Sequence, residues 1–259
     1  MTIKVVSLNM WFGGQLQDNI MAFLEAQAAD IVLLQEVFNG EDPALAAQHR
    51  TMQVVKERLG LPYQNFAAEY RDNDQTNGKA QVGNAIFTRF PITSSAITAF
   101  IPYTETYRDV PGNYHNCPYN LQHVALDTPA GEVNVYNMHG VWDLNGDNYS
   151  PLRQKMSAMV IDAIAGKQNV ILAGDTNAKP TNKAMIAIEA HLKSVFGREL
   201  ATTFNMRHKD NPGYATAAVD MMFVSPNIRV ARHECPNVDV SDHLPLTATL
   251  EISQERSAA

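Results

Sequence analysis

The sequence predicts a layered α/β protein, a single domain over residues 1–259, and three observations carry that expectation. Short apolar runs rich in Val and Ile alternate along the chain with segments of helical period. Polar and titratable residues stand at the ends of those runs rather than inside them. No internal repeat, low-complexity tract or linker-like shift in composition divides the chain. Strands alternating with helices bury their apolar surfaces by laying the helices on sheet faces.

The elements follow in order. Ile3–Leu8 reads as a buried strand, and a helix follows with Asp18 or Asn19 as N-cap and Ile20, Phe23 and Leu24 on one face. Ile31–Leu34 is a second short strand. Ala44–Leu59 reads as a helix that starts after Pro43 and stops at Gly60. Asn84–Thr88 and Val133–Met138 are strands, the latter preceded by the turn signal Pro129-Ala130-Gly131. The clearest helix has Ser150 as N-cap and Pro151 in first position, then Leu152, Met156, Met159, Val160 and Ile164 at helical spacing up to Gly166. Val170–Ala173 is a strand, and Met185, Ile188 and Leu192 mark another helix. Asp220–Val224 and Leu246–Ile252 close the series, and residues 252–259 read as a frayed tail. Segment 101–122, rich in Tyr, Pro and Asn, fits neither period and reads as a long loop at a functional rim.

Composition sets the outer limits. Hydrophobic residues make up 45% and charged residues 18%, which excludes disordered, collagen-like and coiled-coil chains. Lys and Arg number 20 against 27 Asp and Glu, a net charge of −7. Such a chain gains no long-range attraction for a polyanion, so tight nucleic-acid binding would need a local basic patch or a metal. Only Cys117 and Cys235 are present, so no disulfide framework is implied. The N-terminus has no basic segment followed by an apolar one, and no apolar run approaches the roughly 20 residues that span a bilayer. These features set the expectation of a cytoplasmic protein, monomeric and without a membrane partner.

The chemistry lies at the strand ends. Asn9 follows the first strand directly, Gln35-Glu36 the second, His139 the strand Val133–Met138, and Asp175 with Asn177 the strand Val170–Ala173. Asp220 opens its strand, and Ser241-Asp242-His243 precedes the last one. A sheet gathers such positions onto one edge. Each residue alone reads as a turn former or cap, but turns do not account for a set composed of types that hold hard cations or phosphate. Carboxylate and amide oxygens without thiolates suit Mg²⁺ or Mn²⁺ rather than zinc. Metal-assisted phosphoester hydrolysis needs these parts and no covalent nucleophile.

The segments LNMW, LQEV, GNAIFTRFPI, NMHG, GDTNAKP, VDMMFVS and SDHLP, in this order, resemble the motifs of the endonuclease/exonuclease/phosphatase superfamily, which has the deoxyribonuclease I-like fold. The resemblance runs from Leu8 to Leu250. It implies a four-layer α-β-β-α sandwich with two packed mixed β-sheets. It also implies Glu36 as the principal metal ligand, assisted by Asn9 and Asp242, with Mg²⁺ or Mn²⁺ as the cofactor. Asp175 then positions or activates the attacking water, Asn177 and His139 hold phosphate oxygens, and Asp220 orients a charged His243 at the scissile phosphate. Two departures concern substrate contacts: His139 is followed by Gly140-Val141-Trp142, and Asn120-Leu121-Gln122-His123 replaces an arginine-bearing stretch.

Other signals are weaker. Asp143-Leu-Asn145-Gly-Asp147 starts like a calcium loop but has Asn148 and Gln154 where that loop needs Gly and Glu, so it reads as a surface loop. Arg207 and Lys209 are candidate anion contacts at the rim, and Trp11 and Trp142 candidate walls. The expected activity is hydrolysis of a phosphodiester rather than a monoester. A small diester, a nucleotide or an oligonucleotide end fits as substrate. A DNA endonuclease or exonuclease of the same superfamily is the alternative, and a catalytically silent binding module the alternative from another class.

Overall fold

The computed structural model describes residues 1–146 and 148–253. Two six-stranded mixed sheets pack face to face with helices on both outer surfaces, the four-layer sandwich that the resemblance implies. The first sheet has the order β11-β12-β1-β2-β4-β3. Its strands are β1 (Thr2–Asn9), β2 (Ile31–Gly40), β3 (Tyr63–Asp72), β4 (Ala80–Thr88), β11 (Arg229–Glu234) and β12 (Leu246–Glu251). The second sheet has the order β5-β6-β7-β8-β10-β9. It is built from β5 (Ile92–Ala99), β6 (Asn120–Thr128), β7 (Gly131–His139), β8 (Val170–Asp175), β9 (Lys193–Ser194) and β10 (Asp220–Val224). The parallel pairs are β1 with β2 and β7 with β8; all other pairings are antiparallel.

Period-two alternation explains the layers. Ile3 and Val5, Ile31 and Leu33, Val133 and Val135, Ile171 and Ala173 face inward and make the core between the sheets. Val6, Leu8, Val32 and Leu34 point outward, under α2 (Gln17–Gln27) and α3 (Thr51–Leu59) through Ile20, Leu24 and Val55. Tyr136, Met138, Leu172 and Phe223 point outward on the second sheet, under α4 (Pro151–Ile164) and α5 (Lys183–Glu189). Ser150 caps α4 as its sequence predicts, its hydroxyl accepting from Arg153 N at 3.2 Å. A single irregular turn, α1 (Trp11–Gly14), follows β1 with positive φ at Trp11, Phe12 and Gly13.

Several boundaries differ from the sequence expectation. The first long helix starts at Gln17, before Asp18 and Asn19, with no side-chain cap. The helix expected over Ala44–Leu59 forms only from Ala47, as a 3₁₀ turn that becomes α3 at Thr51. A turn from Asp42 to Leu45, closed by Leu45 N donating to Asp42 O at 3.0 Å, takes up its first residues. The helix marked by Met185 and Ile188 ends before Leu192. Residues 120–122 of the expected loop 101–122 belong to β6. Ile252, expected in the frayed tail, is buried and its N–H donates to Met1 O at 2.8 Å. Residues 254–259 of that tail lie outside the described residues.

Candidate active site

The inward-facing alternation that builds the core ends in polar residues at one edge of both sheets. Asn9 continues Ile3, Val5 and Ser7; His139 continues Val133, Val135 and Asn137; Asp175 continues Ile171 and Ala173. Parallel pairing puts His139 opposite Asp175, and antiparallel pairing puts Asp220 opposite Asp175 on its other side. Three candidate residues thus stand in a row across the second sheet. His243, in the loop before β12, reaches the row from the first sheet.

Asp175 is the centre of the arrangement. It is buried, and its Oδ2 lies 4.0 Å from His139 Nε2 and 3.9 Å from His243 Nε2. Its Oδ1 accepts from the backbone N–H of Asn177 at 2.9 Å. Behind each histidine stands a carboxylate. His243 Nδ1 donates to Asp220 Oδ2 at 2.8 Å, and His139 Nδ1 donates to Glu69 Oε2 at 3.2 Å. Burial alone would lower both imidazole pKa values. The carboxylates outweigh it: Asp220, with Asp175, pushes His243 up to about 10, and Glu69 pushes His139 up to about 9. Burial also raises the Asp175 carboxyl, against the pull of the His243 cation. Two cations therefore flank one buried carboxylate.

Glu69 was not among the sequence candidates. It sits in QNFAAEYRD, a strand whose half-buried, largely polar pattern gives no periodic signal. The device that aims it is a register shift between Ala68 and Tyr70, and a matching shift between Leu34 and Val37 surrounds Glu36. Without the second shift Val37 would continue the inward set; with it Val37 packs outward and Glu36 becomes the extra residue, at φ 56°. Glu36 Oε1 accepts from Asn9 Nδ2 at 2.9 Å and Oε2 from Phe12 N at 2.8 Å. Gln35, its neighbour in sequence, points instead between the sheets and donates to Asn137 Oδ1 at 2.6 Å.

Asn9 and the pair Arg207 and Lys209 take particular partners. Asn9 Nδ2 faces both Glu36 and Asp175 (3.1 Å to Oδ2), while its Oδ1 accepts from Trp11 N at 3.0 Å. Asn9 thereby ties the two carboxylates together. Arg207 and Lys209 also separate. Lys209 Nζ reaches Asp242 Oδ2 at 2.5 Å and lies 5.0 Å from the centre of the Phe204 ring and 5.3 Å from that of Tyr214. Arg207 is exposed, points to Asn237 Oδ1 at 3.5 Å and does not line the cavity. Asn177, at φ 50°, donates from Nδ2 to Gly140 O at 3.0 Å. The stretch that replaces the expected arginine is interior: Gln122 donates to Asn65 Oδ1 at 2.7 Å and Asn120 is buried.

The side chains of Glu36, His139, Asp175, Asn177, Asp242 and His243 converge on one cavity of about 350 Å³. Trp11 and Trp142, the expected walls, line it. Its far wall is loop 101–119, which the sequence reading left without residue roles: Tyr107, Asp109, Tyr114, Cys117 and Tyr119 face the cavity beside Tyr70 of β3. Asp109 accepts from the Tyr70 hydroxyl at 3.2 Å and from the Tyr107 hydroxyl at 3.4 Å. Burial, reinforced by Glu36, raises its pKa to about 6.

The donor set fits a hard divalent cation. Glu36 carries only neutral N–H donors and Asp242 is a second carboxylate on the same cavity. Asp175, Asp220 and His243 also lie close enough to hold an ion, with ligand atoms within 4.8 Å of one another. Glu36 and Asp242 line the same cavity, and Lys209 Nζ pairs with Asp242 there.

Fold and site define a class, and the comparisons agree with it. The chain belongs to the endonuclease/exonuclease/phosphatase family, whose profile matches residues 6–243. No curated protein sequence matches it. Among solved structures, a Beutenbergia cavernae endonuclease/exonuclease/phosphatase superposes with a TM-score of 0.77 at 20% identity, over 97% of this chain and 72% of that one. A mannosyl-6-phosphatase of Bacteroides thetaiotaomicron gives 0.69 at 21% identity, over 96% and 99%. The catalytic domain of human Nocturnin gives 0.69 at 18%, over 97% and 94%. At these identities the likeness is one of fold. Among the described residues no helix is long and apolar enough to cross a membrane.

Proposed function

We propose that the protein is a divalent-metal-dependent phosphodiesterase that cleaves its substrate by in-line attack of an activated water. The observation that carries the reading is the Asp175 carboxylate between two carboxylate-backed imidazoles, His139 and His243. Asp175, held by Asn177 N and Asn9 Nδ2, orients a water and takes its proton. His139 and His243, kept charged by Glu69 and Asp220, stabilise the negative charge that develops on phosphoryl oxygens. Asn177 is a further phosphate contact once its amide turns from Gly140 O. Glu36 and Asp242 would hold Mg²⁺ or Mn²⁺, which supplies Lewis-acid polarisation of the phosphate when bound. Asn9 orients Glu36 for that role.

Charge favours a diester. Glu36, Glu69, Asp109, Asp175 and Asp242 line a cavity whose cations are Lys209 and the two histidines. A monoester dianion meets more repulsion there than a diester monoanion. The net charge of −7 also argues against duplex DNA as substrate. The test is hydrolysis of bis(p-nitrophenyl) phosphate and p-nitrophenyl phosphate with Mg²⁺ or EDTA, using wild type and Glu36→Gln. Expected are diester turnover lost in EDTA, a weaker monoester rate, and a Glu36→Gln protein that folds normally, binds Mg²⁺ more weakly in calorimetry and is inactive. Turnover that survives EDTA, or unchanged Mg²⁺ affinity in the mutant, would overturn the reading.

A further inference from the structure

We propose that Asp109, set among the aromatic rings of the cavity's far wall, selects substrates whose alcohol group carries a cationic nitrogen. The inference rests on the phosphodiesterase reading and names its substrate class.

The first ground is the state of the carboxylate. Each Asp109 oxygen accepts one phenolic hydrogen bond, from Tyr70 and from Tyr107, and no Lys, Arg or His among the described residues pairs with it. The two phenol groups orient the carboxylate without neutralising it, which leaves it able to pair with a cation. Asp109 is itself tied to the fold, its backbone N–H donating to Asp74 Oδ2 at 3.1 Å, so the group is placed rather than loose.

The second ground is the surroundings. Tyr70 and Tyr107 meet edge to face with centroids 4.7 Å apart, and Tyr114 and Trp142 stand at 6.1 Å in the same manner; all four line the cavity. Aromatic faces beside a carboxylate suit an ammonium group, which gains cation–π attraction and an ion pair at once.

The third ground is a comparison inside the same cavity. Asp242 with Phe204 and Tyr214 is also a carboxylate beside two aromatic rings, and there the chain supplies its own ammonium, Lys209. Asp109 with Tyr70 and Tyr107 has the same parts and no cation from the chain. A bound divalent ion and a diester monoanion together still leave the lining carboxylates in excess, and a cation on the substrate reduces that excess. A neutral polyol would gain the hydrogen bond to Asp109 but neither the ion pair nor the cation–π attraction.

The experiment compares two esters that differ in one atom, p-nitrophenyl phosphocholine and its carbon isostere p-nitrophenyl 3,3-dimethylbutyl phosphate, in Mg²⁺. Wild type should favour the cationic ester in kcat/KM by on the order of tenfold or more. In Asp109→Asn that ratio should fall close to one, and in Trp142→Leu, which removes a ring and no charge, it should fall several-fold. Calorimetry of choline against 3,3-dimethyl-1-butanol gives the same comparison without turnover, so it holds even if neither ester is cleaved. A wild type that hydrolyses both esters equally, or a preference that survives in Asp109→Asn, would sink the inference and leave the phosphodiesterase reading intact. Equal binding of choline and its isostere to wild type overturns it regardless of turnover. A raised Mg²⁺ requirement in Asp109→Asn with the ester ratio unchanged would make Asp109 part of the metal seat and reject the proposal.

Discussion

At the scale of residues, the site consists of carboxylates whose neighbours decide their roles. Asp175 faces two histidine cations, Glu36 only neutral donors, and Asp242 the Lys209 ammonium. Arg207 and Lys209 look alike in sequence, yet one points to solvent and the other into the cavity. Lys209→Ala should therefore raise KM for a diester several-fold, whereas Arg207→Ala should change it by less than about twofold. Added salt should mimic neither change strongly, because a half-buried ion pair is screened less than exposed charges. Equal effects of the two substitutions in steady-state kinetics would return both residues to the solvated rim.

At the scale of elements, the two register shifts do what strand pattern alone cannot. They insert Glu36 and Glu69 into β2 and β3, on opposite sides of β4, and turn both carboxylates toward the cavity. The pairing across β4 demands a close approach: a Cβ on Gly83 would lie 2.1 Å from Ala67 O and 2.9 Å from Ala68 Cα. Gly83→Ala should cost about 1–3 kcal/mol in urea unfolding, the usual range for overpacking. Because Ala68 precedes Glu69, kcat should fall as well. A variant with wild-type stability and turnover would show that this hairpin accommodates the methyl group without moving Glu69.

At the scale of the whole molecule, the sheets hold a buried ion pair between them, Glu69 from the first and His139 from the second. Stability should record it. The folded pKa of His139 is raised from 6.5 to about 9, burial opposing and Glu69 driving the shift. A raised pKa means that the folded state binds the proton more tightly, so the contribution is complete below about 6.5 and is lost as pH climbs through 9. In EDTA, the urea midpoint should fall between pH 6.5 and 9.5. In Glu69→Gln, which removes the main raising influence, that fall should shrink. A wild-type midpoint that stays level or rises across this range would contradict the pairing.

The alternation of strands and helices and several candidate residues were legible in local pattern: β1, β7, β8 and β10 are inward-facing apolar alternations that meet a polar residue at one end, which singles out Asn9, His139, Asp175 and Asp220. Strands without that contrast were not legible. β5 is exposed along most of its length, β11 is an edge strand rich in charge, and β6 turns Asn120 and Gln122 into the interior. Glu69 was hidden for the same reason, since a carboxylate in a polar strand is ordinary until a register shift buries it. No local pattern shows that Asn9 turns its nitrogen to the carboxylates, that Lys209 and not Arg207 enters the cavity, or that Asp109 completes its wall. Each of these depends on which distant atoms share a small volume, a property set by pairing register and loop path rather than by any residue's neighbours in the chain.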